Sequence, residues 1–113
     1  MTSPDLTYLL DIRDAADRAI YHISGLQPET IRDNAYLQDP VVRCLILIGE
    51  AARQLTPETR VLFPHLDWSG MIGMRNILVH RYHEIDYFEL WTIVNRDLPP
   101  LVDELTRYLA QFP

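Results

Sequence analysis

From Leu6 onward the apolar residues Leu6, Leu9, Ile12, Ala16, Ile20 and Ile23 recur at three- and four-residue steps, the spacing of one face of an α-helix. No alternating run of useful length, no Asn-Gly hairpin turn and no internal repeat occurs anywhere in the 113 residues. A strand has nothing to start from. The expected fold is therefore all-α, an up-and-down helical bundle of about five helices. Ser3-Pro4-Asp5 has the form of a helix start: a hydroxyl cap, a proline at the first helical position, then an acid facing the positive end of the helix dipole. Gly25 offers a C-terminal stop, which gives a first helix of about five turns.

The remaining punctuation is of the same kind. Gln27-Pro28 opens a short polar stretch with room for one weak helix, and Asp39-Pro40 repeats the cap-plus-proline signal, which predicts a central helix over residues 40–55. Thr56-Pro57-Glu58 predicts a short helix closed near Pro64. Asp67-Trp68-Ser69 predicts a helix from about Gly70 to Arg81, and Asp86 caps the next. Pro99-Pro100 deletes two backbone donors, so a kink or a restart is expected there before Leu101 to Leu109. The length allows one compact domain over residues 1–113 and no second. A chain of this size buries roughly two thirds of its unfolded surface, so pairing with a second copy would add a useful share.

All ten cationic side chains are arginine, and sixteen acids bring the formal net charge to −6. That sign excludes a protein that coats nucleic acid non-specifically. Cys44, the only cysteine, sits in the apolar run Cys44 to Ile48 and reads as a buried free thiol, in keeping with a reducing cytoplasm. That run is far short of the roughly 20 residues of a membrane helix, and Met1-Thr2-Ser3-Pro4-Asp5 lacks a basic leader region. Neither export nor a membrane partner is expected.

Between Asp67 and Glu84 there is no acid, whereas Arg75, His80, Arg81 and His83 all fall there. It is the one positively biased stretch of an acidic chain. Projected on a continuous helix, Arg75, Asn76, His80, Tyr82 and His83 share an arc with Ile72 and Val79, leaving Met74, Ile77 and Leu78 opposite for the core. Such an arc suits a phosphodiester. An arginine fork can hold the non-bridging oxygens and stabilise added negative charge, while an imidazole, ordinarily titrating near roughly 6.5, can accept or return a proton. RNA brings its own nucleophile in the 2′-hydroxyl, so no metal or cofactor is required. Two copies meeting across a two-fold axis could pool two arginines and two histidines in one cleft, with Ile72 and Val79 packed at the interface. Each residue also has a plainer reading. Arg75 could pair with an acid on a neighbouring helix, Glu50 could be a solvated position or could pair with Arg75 or Arg53, and Tyr82 could be a rim residue. His80, His83, Glu84 and Asp86 lack the spacing of a metal site. Gly70 and Gly73 suggest close helix packing.

The run Gly73-Met74-Arg75-Asn76-Ile77-Leu78-Val79-His80-Arg81-Tyr82, followed by Ile85-Asp86, resembles the Arg-x4-His-x-Tyr signature of the HEPN superfamily, in particular its small HepT-like toxins of type VII systems. The resemblance extends upstream to Ile48-Gly49-Glu50-Ala51 and to Pro64 and Trp68. It implies a helical homodimer with Arg75 and His80 as a metal-independent ribonuclease pair, supported by Asn76 and, through the upstream run, Glu50. It also implies an antitoxin of the minimal nucleotidyltransferase (MNT) class, which would transfer AMP from ATP to Tyr82, placing phosphate and adenine where RNA should lie. The same residues are open to a non-catalytic module that binds nucleotide or a partner protein.

Overall fold

The computed structural model describes residues 4–112, and every regular element among them is helical. Helix α1 spans Pro4–Ile23, α2 Pro28–Arg32, α3 Ala35–Gln54, α4 Pro57–Arg60 and α5 Trp68–His80. A 3₁₀ turn at Tyr82–Glu84 leads to α6, Tyr87–Thr92, which runs through a π-helical stretch, Ile93–Asp97, into α7, Leu98–Leu109. Ser3, expected to cap α1, lies outside the described residues. Gly25 ends the connection after α1 with φ +77°, the left-handed conformation that glycine adopts without a Cβ penalty.

Helix α3 packs between α1 and α5, and α7 lies along α1 on its other side. Leu9, Ile12, Ala15, Ala16, Ala19 and Ile23 of α1 meet Val41, Leu45, Ile48 and Ala52 of α3 and Leu98, Leu101 and Leu105 of α7 in the core. The alanine row on α1 keeps the helix axes close where larger side chains would separate them. Cys44 is a buried free thiol, as expected. Indole Nε1 of Trp91 donates to the Leu26 carbonyl at 2.8 Å, tying α6 to the loop after α1.

The central helix departs from the sequence expectation, and the Pro99-Pro100 segment follows it. The central helix starts five residues before Pro40: Asn34 is its cap, accepting from the Tyr36 amide at 2.9 Å, and Pro40 lies inside the helix. The donor that Pro40 lacks would have met the Tyr36 carbonyl, at a turn where Tyr36 is 92% exposed and water can take its place. At Pro99-Pro100 the restart is observed: both prolines fall in the first turn of α7, where missing amide donors cost nothing. The chain reaches this turn through the π-helical stretch Ile93–Asp97.

The N-terminus of α1 is clasped to α4. Oδ2 of Asp5 accepts from Thr56 Oγ1 at 2.7 Å, from the Thr56 amide at 3.2 Å and from the Thr59 hydroxyl. Hydrogen bonds from the Thr56 and Thr59 side chains hold the Asp5 carboxyl below its ordinary value. A carboxyl depressed in the folded state stabilises the fold above its unfolded value, and that contribution is lost as pH falls towards the folded one. Asp5→Asn is expected to lower the urea midpoint at neutral pH. The gap from wild type should close as pH falls through the carboxylate range, near about 4, in urea titrations run side by side.

Candidate active site

Helix α5 begins because Asp67 Oδ1 accepts the Gly70 amide at 2.9 Å. Its first turn is anchored by Trp68, a buried residue whose indole donates to the Arg60 carbonyl at 3.2 Å. Helix α5 stops at His80. Arg81, at φ −135° and ψ 47°, leaves the helical region while its amide closes the last turn on the Ile77 carbonyl, and Asp86 then caps α6 through the Phe88 and Glu89 amides.

The close contact of the site is made at Gly49. A Cβ built there would stand 2.2 Å from Cβ of Arg75 and 2.7 Å from the Met71 carbonyl oxygen. Only glycine lets α5 lie this near to α3, and the approach sets Arg75 beside the next residue of α3, Glu50. Nε and Nη2 of Arg75 donate to Glu50 Oε1 at 2.9 and 2.7 Å, and Nη1 donates to Asn76 Oδ1 at 2.9 Å. The Arg75 side chain is only 16% exposed, and Glu50 also faces Arg53 Nη2 at 3.7 Å. One carboxylate is thus shared by two guanidinium groups, and the cluster stays net positive.

Arg75, Asn76 and Glu50 are therefore brought together, whereas His80 and Tyr82 stand apart from them. His80 is exposed in the last turn of α5. Positions 75 and 80 lie about 140° apart around a helix, and the hydrogen bonds of Arg75 go to Glu50 and Asn76. Tyr82 and His83 leave the arc that a continuous helix would have given them, because both belong to the 3₁₀ turn. The Tyr82 hydroxyl donates to Asp39 Oδ1 of α3 at 3.1 Å. Desolvation, then the Asp39 carboxylate, holds the phenol above its ordinary value. Asp39, expected as a helix cap, instead docks this turn on α3. Of the three residues assigned to the core side of α5, Leu78 is buried, while Met74 and Ile77 are only half-buried. Close packing belongs to Gly49, not to the Gly70 and Gly73 pair: Gly73 faces open space and Gly70 makes room for the Asp67 cap.

Residues 12–108 match the family model described as Ribonuclease HepT-like. The chain is 37% identical over 98 residues to the Methanocaldococcus jannaschii protein named Putative RNase MJ1380, covering 87% of this chain and 90% of that one. It is 32% identical over 94 residues to Probable ribonuclease HepT of Thermococcus cleftensis, covering 83% and 86%. No solved structure matches the chain. The chain belongs to the HepT-like ribonuclease family, an all-α branch of the HEPN superfamily. Among the described residues, no helix is long and apolar enough to cross a membrane.

The two glycines of this region predict opposite outcomes. Gly49→Ala forces the α3–α5 contact apart and is expected to cost about 1–3 kcal/mol. Gly73→Ala fills open space in a helix interior and is expected to add up to about 1 kcal/mol. Chemical denaturation of the two variants beside wild type measures both.

Proposed function

We propose that the chain is a metal-independent endoribonuclease toxin, a single HEPN domain over residues 1–113 acting in the cytoplasm as a homodimer. In this reading Arg75 and His80 do the chemistry in a cleft completed by the second copy. The observation that carries it is the held guanidinium. Glu50 and Asn76 occupy donors on Nε, Nη2 and Nη1, and the remaining N–H bonds on the two terminal nitrogens point as a fork with fixed orientation. Such a fork fits two non-bridging phosphate oxygens and the charge that builds on them in the transition state.

The imidazole of His80 accepts the 2′-hydroxyl proton. The 2′-oxygen attacks the adjacent phosphorus, the bond to the 5′-oxygen breaks, and the products are a 2′,3′-cyclic phosphate and a 5′-hydroxyl. A proton must reach the leaving oxygen, and a second His80 across a two-fold axis is a suitable donor. The angular separation of Arg75 and His80 on α5 favours this pooled arrangement. The exposed Val79 and half-buried Ile72 lie on the same outer side of α5 as Asn76 and His80 and supply apolar surface for the pairing.

Control of the enzyme is assigned to an MNT-class nucleotidyltransferase antitoxin that transfers AMP from ATP to the Tyr82 oxygen, releasing pyrophosphate. Tyr82 is 44% exposed and its oxygen stands at the surface against Asp39, which suits a hydroxyl that must be reached by another protein.

Purified, unmodified protein is expected to cleave total cellular RNA or tRNA in EDTA, with His80→Ala and Arg75→Ala each slower by at least about 100-fold. Cleavage by neither wild type nor variant, from folded dimer, would transfer the weight to a nucleotide- or partner-binding module. Tyr82→Phe is expected to cleave RNA at the wild-type rate and to remain active after incubation with the antitoxin and ATP. Silencing of this variant as complete as that of wild type would remove Tyr82 as the modified group.

A further inference from the structure

Helix α5 carries apolar residues around most of its circumference, a pattern ordinarily found in enclosed helices. Yet it packs broadly on only one helix, α3, and only Trp68 and Leu78 are buried along it. On the side turned away from Asn76 and His80 stand Met71 and Met74, both half-buried, with the half-buried Ile77 at its edge. Facing them, the π-helical stretch and the start of α7 leave a cavity of about 420 Å³ against Met71, Met74 and Ile93. A second hollow of about 190 Å³ continues past Met74 and Ile77 to Ile85. Met74 and Glu89 line both, so the two form one groove along α5.

The charge around this groove is one-sided. Asp67, Glu84, Asp86, Glu89 and Asp97 stand on its walls against two arginines, Arg81 and Arg96. Both arginines are already occupied, Arg81 with Glu84 at 3.5 Å and Arg96 with Asp97 at 2.8 Å. An apolar floor of flexible methionines inside an acidic rim fits an apolar ridge flanked by cations.

We propose that the groove between α5 and the segment Glu89–Leu101 docks a cationic amphipathic segment of a partner protein. Its apolar side chains would lie on Met71 and Met74, and its lysines or arginines over Asp67 and Glu89. The surface is on the reverse side of α5 from Asn76 and His80, so the inference does not depend on the nuclease reading.

The chain has three methionines, Met1, Met71 and Met74, so methyl-labelled methionine gives two reporters in the groove. The probe is a synthetic 18-residue helical peptide with leucines on one face and lysines on the other, beside a twin in which glutamate replaces lysine. With the cationic peptide, the Met71 and Met74 methyl resonances are expected to shift saturably, with a dissociation constant of order tens of micromolar. Glu89→Arg, an exposed position, should weaken binding at least about tenfold while leaving the free protein's methyl spectrum intact. Equal shifts from both peptides, no shift from either, or unchanged affinity in Glu89→Arg would overturn the proposal. So would groove resonances that move with protein concentration alone, since the occupant would then be a second copy.

Discussion

The distance between α3 and α5 is the constraint on which the rest of the site depends, and a single missing Cβ sets it. At Gly49 the backbone of α3 lies against Cβ of Arg75 and the carbonyl of Met71, so the two helices meet through main chain and not through side-chain ridges. The neighbouring carboxylate, Glu50, is thereby delivered to Arg75 within hydrogen-bond reach of two guanidinium nitrogens. Were the helices a further side-chain layer apart, a long arginine could still reach Glu50, but its stem would be free to swing. In the observed packing the stem is trapped and the guanidinium is held along one edge.

Much of the fold was legible because helix punctuation is local chemistry. Thr56, Asp67 and Asp86 cap the helices they were expected to cap, each through its own side-chain oxygen. Asp39-Pro40 misled because it has the chemistry of a cap without the surroundings of one. Asn34 had already started the helix, and an exposed turn tolerates a proline that a buried one would not. The three-way clasp at Asp5 joins residues 51 and 54 positions apart, and nothing in local periodicity encodes such a pairing.

The site was legible in composition and less so in geometry. Arg75, Asn76, His80 and Tyr82 stand out as chemistry-bearing residues in an acid-free stretch, but the helical projection holds only for the three on α5 and fails for Tyr82, which belongs to the 3₁₀ turn. Two physical reasons limit the projection. Helix α5 is apolar on nearly all sides, so its pattern does not say which side faces the core. Arg81, moreover, leaves the helical region, so the helix breaks ahead of Tyr82 and the chain continues as a 3₁₀ turn. Of the contacts across helices, the pairing of Glu50 with Arg75 stood open in the sequence as the plainer reading of those residues and is observed, whereas the pairing of Tyr82 with Asp39 was not legible there.

The same contact explains why arginine, and not lysine, serves at position 75. A carboxylate 2.7 Å from a lone ammonium would largely cancel it for any approaching phosphate, and an ammonium has no second edge to offer. A guanidinium can spend Nε and part of Nη2 on Glu50, give one proton of Nη1 to Asn76, and keep a planar fork for a ligand. Glu50 in turn divides its attraction between Arg75 and Arg53, so the carboxylate orients the fork without neutralising its surroundings. In the nuclease reading proposed above, a local excess of cation on one helix pair of a chain with net charge −6 would concentrate affinity for a phosphate at that place and leave the remaining surface unfavourable to a polyanion.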